Sequence, residues 1–120
     1  MNDNIGQFIL TLLHASTNAH VLHLQSKSYS EHMALGTFYE ELPGLVDSLA
    51  EAIQGDEEII INYDYDYYKP SDTALDELQT LKNYVYEERD KISTKSNIQN
   101  EIDAIATLID STIYRIKFLK

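Results

Sequence analysis

Apolar residues recur along this chain at three- and four-residue steps in four separate blocks, the period of helices buried on one side. The first block runs from about Asn4 to Lys27 and places Ile5, Phe8, Ile9, Leu12, Ser16, Ala19, His20 and His23 on one face. Leu10, Leu13, Val21 and Leu24 widen that face, as in a helix packed on more than one neighbour. The second block, about Glu31 to Gln54, has an inward stripe of His32, Leu35, Tyr39, Leu42, Val46, Leu49 and Ile53. Ser30 is its expected cap and Gly55 its expected stop, with Glu31 favoured by the helix dipole. Pro43-Gly44 falls inside this block. Proline has no N–H to give, so the helix is expected to kink there or to split.

A third helix is expected over residues 71–93, capped by Ser71 or Asp72 and marked by Leu75, Leu78, Leu81, Val85 and Ile92. The fourth, over 96–119, carries an almost unbroken stripe of Ile98, Ile102, Ile105, Ile109, Thr112, Ile116 and Leu119. The joins near 28–30 and 93–96 are short, which forces each flanking pair of helices antiparallel.

The segment 56–70 is different. Ile59-Ile60-Ile61 and the Tyr-Asp alternation favour extended backbone. A helix of the expected length spans roughly 36 Å at about 1.5 Å per residue. Fifteen extended residues span roughly 50 Å at about 3.3 Å each. The segment can therefore run the whole length of the bundle and set the third helix parallel to the second. The pattern predicts an all-α single domain over residues 1–120, an antiparallel four-helix bundle with a long crossover between helices 2 and 3.

Composition narrows the function. The chain has no cysteine, which removes disulfides and thiolate metal sites and fits a reducing, cytoplasmic setting. No basic-then-apolar leader stands at its start, and no apolar run is long enough for a membrane span. Twenty acids against nine bases give a net charge of −11, which repels phosphate backbones. Nucleic acid is thus an unexpected partner. Only Lys82, Arg89, Lys91, Lys95, Arg115, Lys117 and Lys120 could form a basic stripe.

All four histidines lie within the first 32 residues. His14 falls on a different face from His20 and is expected to be exposed. His20, His23 and His32 lie on or beside the inward stripes of two neighbouring helices, and imidazole suits zinc, iron, copper and nickel. Asp47 and Glu51 are one helical turn apart, with Glu40 two turns before Asp47 on the same flank. That flank is turned roughly 60–100° from the inward stripe, at about 100° per residue, so it can look toward a neighbouring subunit. The bland alternatives are hydrogen-bonded histidines and a solvated acidic flank. No Glu-x-x-His pair occurs, so an in-bundle di-iron carboxylate centre of the usual form cannot be built. The Tyr63–Tyr68 segment lacks the glycine and final glutamate of an EF-hand loop. It reads instead as a crossover whose tyrosines pack on the bundle or on a partner.

The intervals from His20 to His32, from His32 to Asp47 and from Asp47 to Glu51 resemble those of the miniferritins, the Dps-type members of the ferritin-like superfamily. The likeness covers residues 8–55, including the run from His32 through Glu41 and Val46 to Glu51. Gly36 stands where that family commonly has an acid, and Val21 where an aromatic often follows the first histidine. Compact ferritin-like relatives encoded by tailed phages are similar, which implies an intracellular setting, including a phage-infected bacterium. The resemblance implies a homodimer or larger oligomer. In it, His20 and His32 of one chain and Asp47 and Glu51 of a mate would hold iron or another divalent metal. His23 and Glu40 would be further or supporting ligands. If active, such a site would be ferroxidase-like, oxidising Fe(II) with oxygen or peroxide. The rival expectation is a metal-free helical structural or interaction protein on the same scaffold.

Overall fold

The computed structural model describes residues 3–120, so the first two residues of the expected domain lie outside it. Its helices are α1 (Asp3–Gln25), α2 (Tyr29–Glu57), α3 (Ala74–Ile92) and α4 (Ser96–Phe118). Among the described residues no strand is present. α1 packs on α2 and α3, and α4 packs on the same two helices from the other side. The result is a four-helix bundle, about 45 Å in its long dimension, with α1 opposite α4 and α2 opposite α3.

The core is the periodic stripe of each helix. Phe8, Leu12, Phe38, Leu42, Leu49, Ile53, Val85, Ile102, Ile105 and Ile109 are fully buried. Burying each such side chain contributes roughly 1.5–3 kcal/mol, so the layered stripes dominate the stability. Leu119, expected at the end of the α4 stripe, is instead half exposed beyond the last turn.

The helix ends differ from expectation for local reasons. Ser28, not Ser30, caps α2, its hydroxyl accepting from the Glu31 N–H at 3.4 Å. Thr73, not Ser71 or Asp72, caps α3 by accepting from the Asp76 N–H at 3.1 Å. α2 does not stop at Gly55. It continues to Glu57 and closes at Glu58, whose φ of 55° is left-handed. The N–H groups of Glu58 and Ile59 both turn back to the Gln54 carbonyl. Gln54 then holds the next segment as well, its side-chain Oε1 accepting from the Ile61 N–H at 3.1 Å. A residue with a Cβ pays about 1–2 kcal/mol in that conformation. Glu58→Gly is therefore expected to stabilise the protein by about 0.5–1 kcal/mol, read as a higher urea midpoint. An unchanged or lower midpoint would remove the left-handed cap.

Pro43 neither breaks nor splits α2, which is one helix through it. The N–H that Pro43 lacks would have met the Tyr39 carbonyl four residues back. Ser16 on α1 takes its place, donating to that carbonyl at 3.0 Å.

The crossover, residues 59–73, runs along the outside of α1. Its Asn62 carbonyl sits against Gly6, and its Tyr68 carbonyl accepts from Asn18 Nδ2 at 3.2 Å. From residue 6 to residue 18, α1 rises roughly 18 Å at about 1.5 Å per residue. From 62 to 68 the crossover covers roughly 20 Å at about 3.3 Å per residue. The two runs match, so the crossover is extended on either side of Tyr65, whose φ of 61° is left-handed, and climbs in the same direction as α1. It delivers α3 at the end where α2 begins, and α2 and α3 run parallel.

Asn18, fully buried, is the fastening. Its Oδ1 also accepts from the Tyr67 hydroxyl at 2.5 Å. His14, expected to be exposed, is half covered by this segment, its ring edge-on to Tyr67 at 5.1 Å. Of the basic residues, Lys82, Arg89, Lys91 and Lys95 pair with Asp110, Asp103, Glu88 and Asp56. Lys82–Asp110 is open to solvent on both sides and contributes little, whereas Arg89 is mostly covered and also donates to Gln99.

Candidate functional site

The turn between α1 and α2 is three residues long and sets His23 directly across from His32. The two rings stack at 3.6 Å between centroids, 17° from parallel. His23 Nδ1 meets the His32 carbonyl at 2.6 Å, and His32 Nδ1 meets the His23 carbonyl at 2.8 Å. A carbonyl can only accept, so each ring carries a proton on Nδ1. In a neutral imidazole Nε2 then keeps the lone pair that a metal would use. Fixing one nitrogen on a backbone carbonyl is the usual support for a ligating histidine. It is equally a way to join two helix ends.

His20 lies one turn before His23 and is exposed. Its ring lies flat on Tyr39, 3.9 Å between centroids and 7° apart. Tyr39 meets His23 edge-on at 5.2 Å, so the four rings form one cluster on the outer side of the hairpin. Gly36 lies beneath it, where a Cβ would stand 3.2 Å from His23 Cε1.

Of the acids, Glu40 lines a shallow pocket with His23 and Tyr39, whereas Asp47 and Glu51 lie further along α2. Glu40, Asp47 and Glu51 are exposed on the outward flank of α2. Fifteen residues of helix separate His32 from Asp47, roughly 22 Å at about 1.5 Å per residue. His32 and the Asp47–Glu51 pair of one chain therefore cannot share an ion. Among the described residues, no three histidine or acidic side chains are grouped so as to hold one.

Two features escaped the sequence reading. One is Asn18. The other is Glu77, a carboxylate buried under the crossover, holding the Ser71 N–H at 2.8 Å and the Tyr68 hydroxyl at 3.1 Å. Burial, aided by the nearby Glu77 carboxylate, pushes the Tyr68 phenol far above its ordinary value. The available signal was position: Glu77 sits beside Leu78 on the arc of α3 marked by Leu78, Leu81 and Val85.

Among the described residues no helix is long and apolar enough to cross a membrane. No curated protein and no solved structure matches the chain. A family model matches residues 23–116, a span that begins at His23 and includes His32, Glu40, Asp47, Glu51 and Glu77. The match covers well over half of the chain, which therefore belongs to the family of unknown function DUF5856.

Proposed function

We propose that this protein is a ferritin-like, divalent-metal-binding protein that works as a homodimer or larger oligomer inside the cell, with its metal sites between subunits. One observation carries the reading: along α2, His32 and the exposed Asp47 and Glu51 lie on opposite sides of Tyr39, on whose ring the exposed His20 lies flat. The midpoint between His32 and Asp47 falls at Tyr39–Glu40. Two copies related by a two-fold axis near that point would bring His32 of each level with Asp47 of the other, with His20 beside the axis. An isologous contact makes two such sites.

His20, His32, Asp47 and Glu51 would form each donor set, with His23 and Glu40 beside it. Imidazoles and carboxylates together suit iron and its divalent neighbours. Exposed Leu13, Leu24 and Met33 supply apolar area on the same hairpin. A net charge of −11 opposes self-association, and bound cations would offset it. Ferroxidase-like chemistry is the activity to test at such a site.

A specific observation favours a second reading, a metal-free helical interaction protein. His20 is already stacked on Tyr39, and His23 and His32 already join the helix ends.

The deciding experiment is anaerobic Fe(II) calorimetry with parallel sedimentation, on wild type and on His20→Ala with Asp47→Ala. Both residues are exposed, so the variant keeps the fold. Expected are about one ion bound per chain, dimerisation driven by metal, and loss of both in the variant. No binding by wild type, or equal binding by the variant, would leave the metal-free reading in place.

A further inference from the structure

A cleft of about 310 Å³ opens between α1, the end of the crossover and α3, on the side of α1 away from the histidine cluster. Its floor includes Glu77, only 4% exposed. A buried carboxylate is costly unless it is paired. Glu77 receives two neutral donors, the Tyr68 hydroxyl and the Ser71 N–H. Among the described residues no lysine, arginine or histidine forms an ion pair with it. A carboxylate offers about four acceptor positions, so capacity remains.

The walls point the same way. Tyr84 lines the cleft and is stacked on Phe8 on one side, with Leu81 beside it. Tyr68 lines the facing part. At the mouth, Gln7 donates its Nε2 to Thr11 Oγ1 at 3.0 Å, which leaves the Gln7 carbonyl oxygen as a further acceptor. Lys69 is the one basic residue at the rim, and it is exposed. The interior is thus rich in acceptors and aromatic surface, which suits a cation and repels an anion.

We infer that this cleft binds a small organic cation, a primary ammonium group attached to an apolar body, with the ammonium on Glu77 and the body between Tyr68, Tyr84 and Leu81. The volume falls at the small end of ordinary ligand pockets. The site is separate from the proposed metal face and does not depend on it.

The test is a ¹H–¹⁵N NMR titration of the full chain with 2-phenylethylamine, and with 2-phenylethanol as its neutral counterpart. Expected are shifts centred on the amides of Ser71, Glu77 and Leu81, with the alcohol binding about ten-fold more weakly or worse. Glu77→Gln should bring the amine down to the level of the alcohol. Thr80→Phe, an exposed residue at the cleft wall, should weaken both probes while leaving Glu77 untouched. The inference is overturned if amine and alcohol bind alike, if Glu77→Gln binds the amine as wild type does, or if the shifts lie elsewhere. Should Glu77→Gln fail to fold, the comparison of amine with alcohol on wild type and on Thr80→Phe decides the matter.

Discussion

Gly6→Ala should lower the unfolding free energy by about 3 kcal/mol, the upper part of the range for forcing atoms into filled space. A Cβ at residue 6 would overlap the Asn62 carbonyl oxygen and stand 3.1 Å from its carbon. Both are backbone atoms, so no side-chain rotation can relieve the clash. The crossover would have to lift from α1 and carry Ile61, only 3% exposed, out of the core edge. Gly44 is the control. A Cβ there meets nothing within 4 Å, so Gly44→Ala should gain up to about 1 kcal/mol of helix propensity. Both values come from urea unfolding. A Gly6→Ala protein within about 0.5 kcal/mol of wild type would mean that the crossover is not seated on α1.

Ser16→Ala should cost about 1–2 kcal/mol, the effect of leaving a covered carbonyl without its donor. The Tyr39 carbonyl has no helical partner because Pro43 supplies no N–H, and the Ser16 hydroxyl fills that role from the neighbouring helix. This makes the effect conditional. In a Pro43→Ala background the helix regains its own donor, and the cost of Ser16→Ala should fall toward zero. A double-mutant cycle measures the difference directly. A coupling below about 0.3 kcal/mol would show that the hydroxyl does not replace the lost bond.

Pro43 also marks where the sequence stops being readable. The four stripes, such as Ile98, Ile102, Ile105, Ile109 and Ile116, were legible because burial imposes a period that one chain displays by itself. The reach of the crossover was legible because length follows from geometry. Continuity of α2 through Pro43 was not, since the donor lies twenty-seven residues upstream on another helix. The caps at Ser28 and Thr73 were displaced by two residues or fewer from the expected ones, because runs of serine, threonine and aspartate offer several competing acceptors. At the candidate site the grouping of histidines near the turn was legible. Which ring meets which was not: His32 stacks on His23, while His20 turns to Tyr39. The acidic flank of Asp47 and Glu51 is legible in both sequence and fold as a pair of exposed carboxylates one turn apart.

The reciprocal bonds between His23 and His32 bear on the order of events during folding. They close a loop of only nine residues, and closing a short loop costs little chain entropy. Each bond joins a ring on one helix to the backbone of the other, so sliding the helices by one turn would break both together. The pair therefore acts as a registration mark that fixes one alignment of α1 against α2. Rapid-mixing hydrogen exchange should find this hairpin protected first. The crossover, α3 and α4 would then assemble on a template whose alignment is already set.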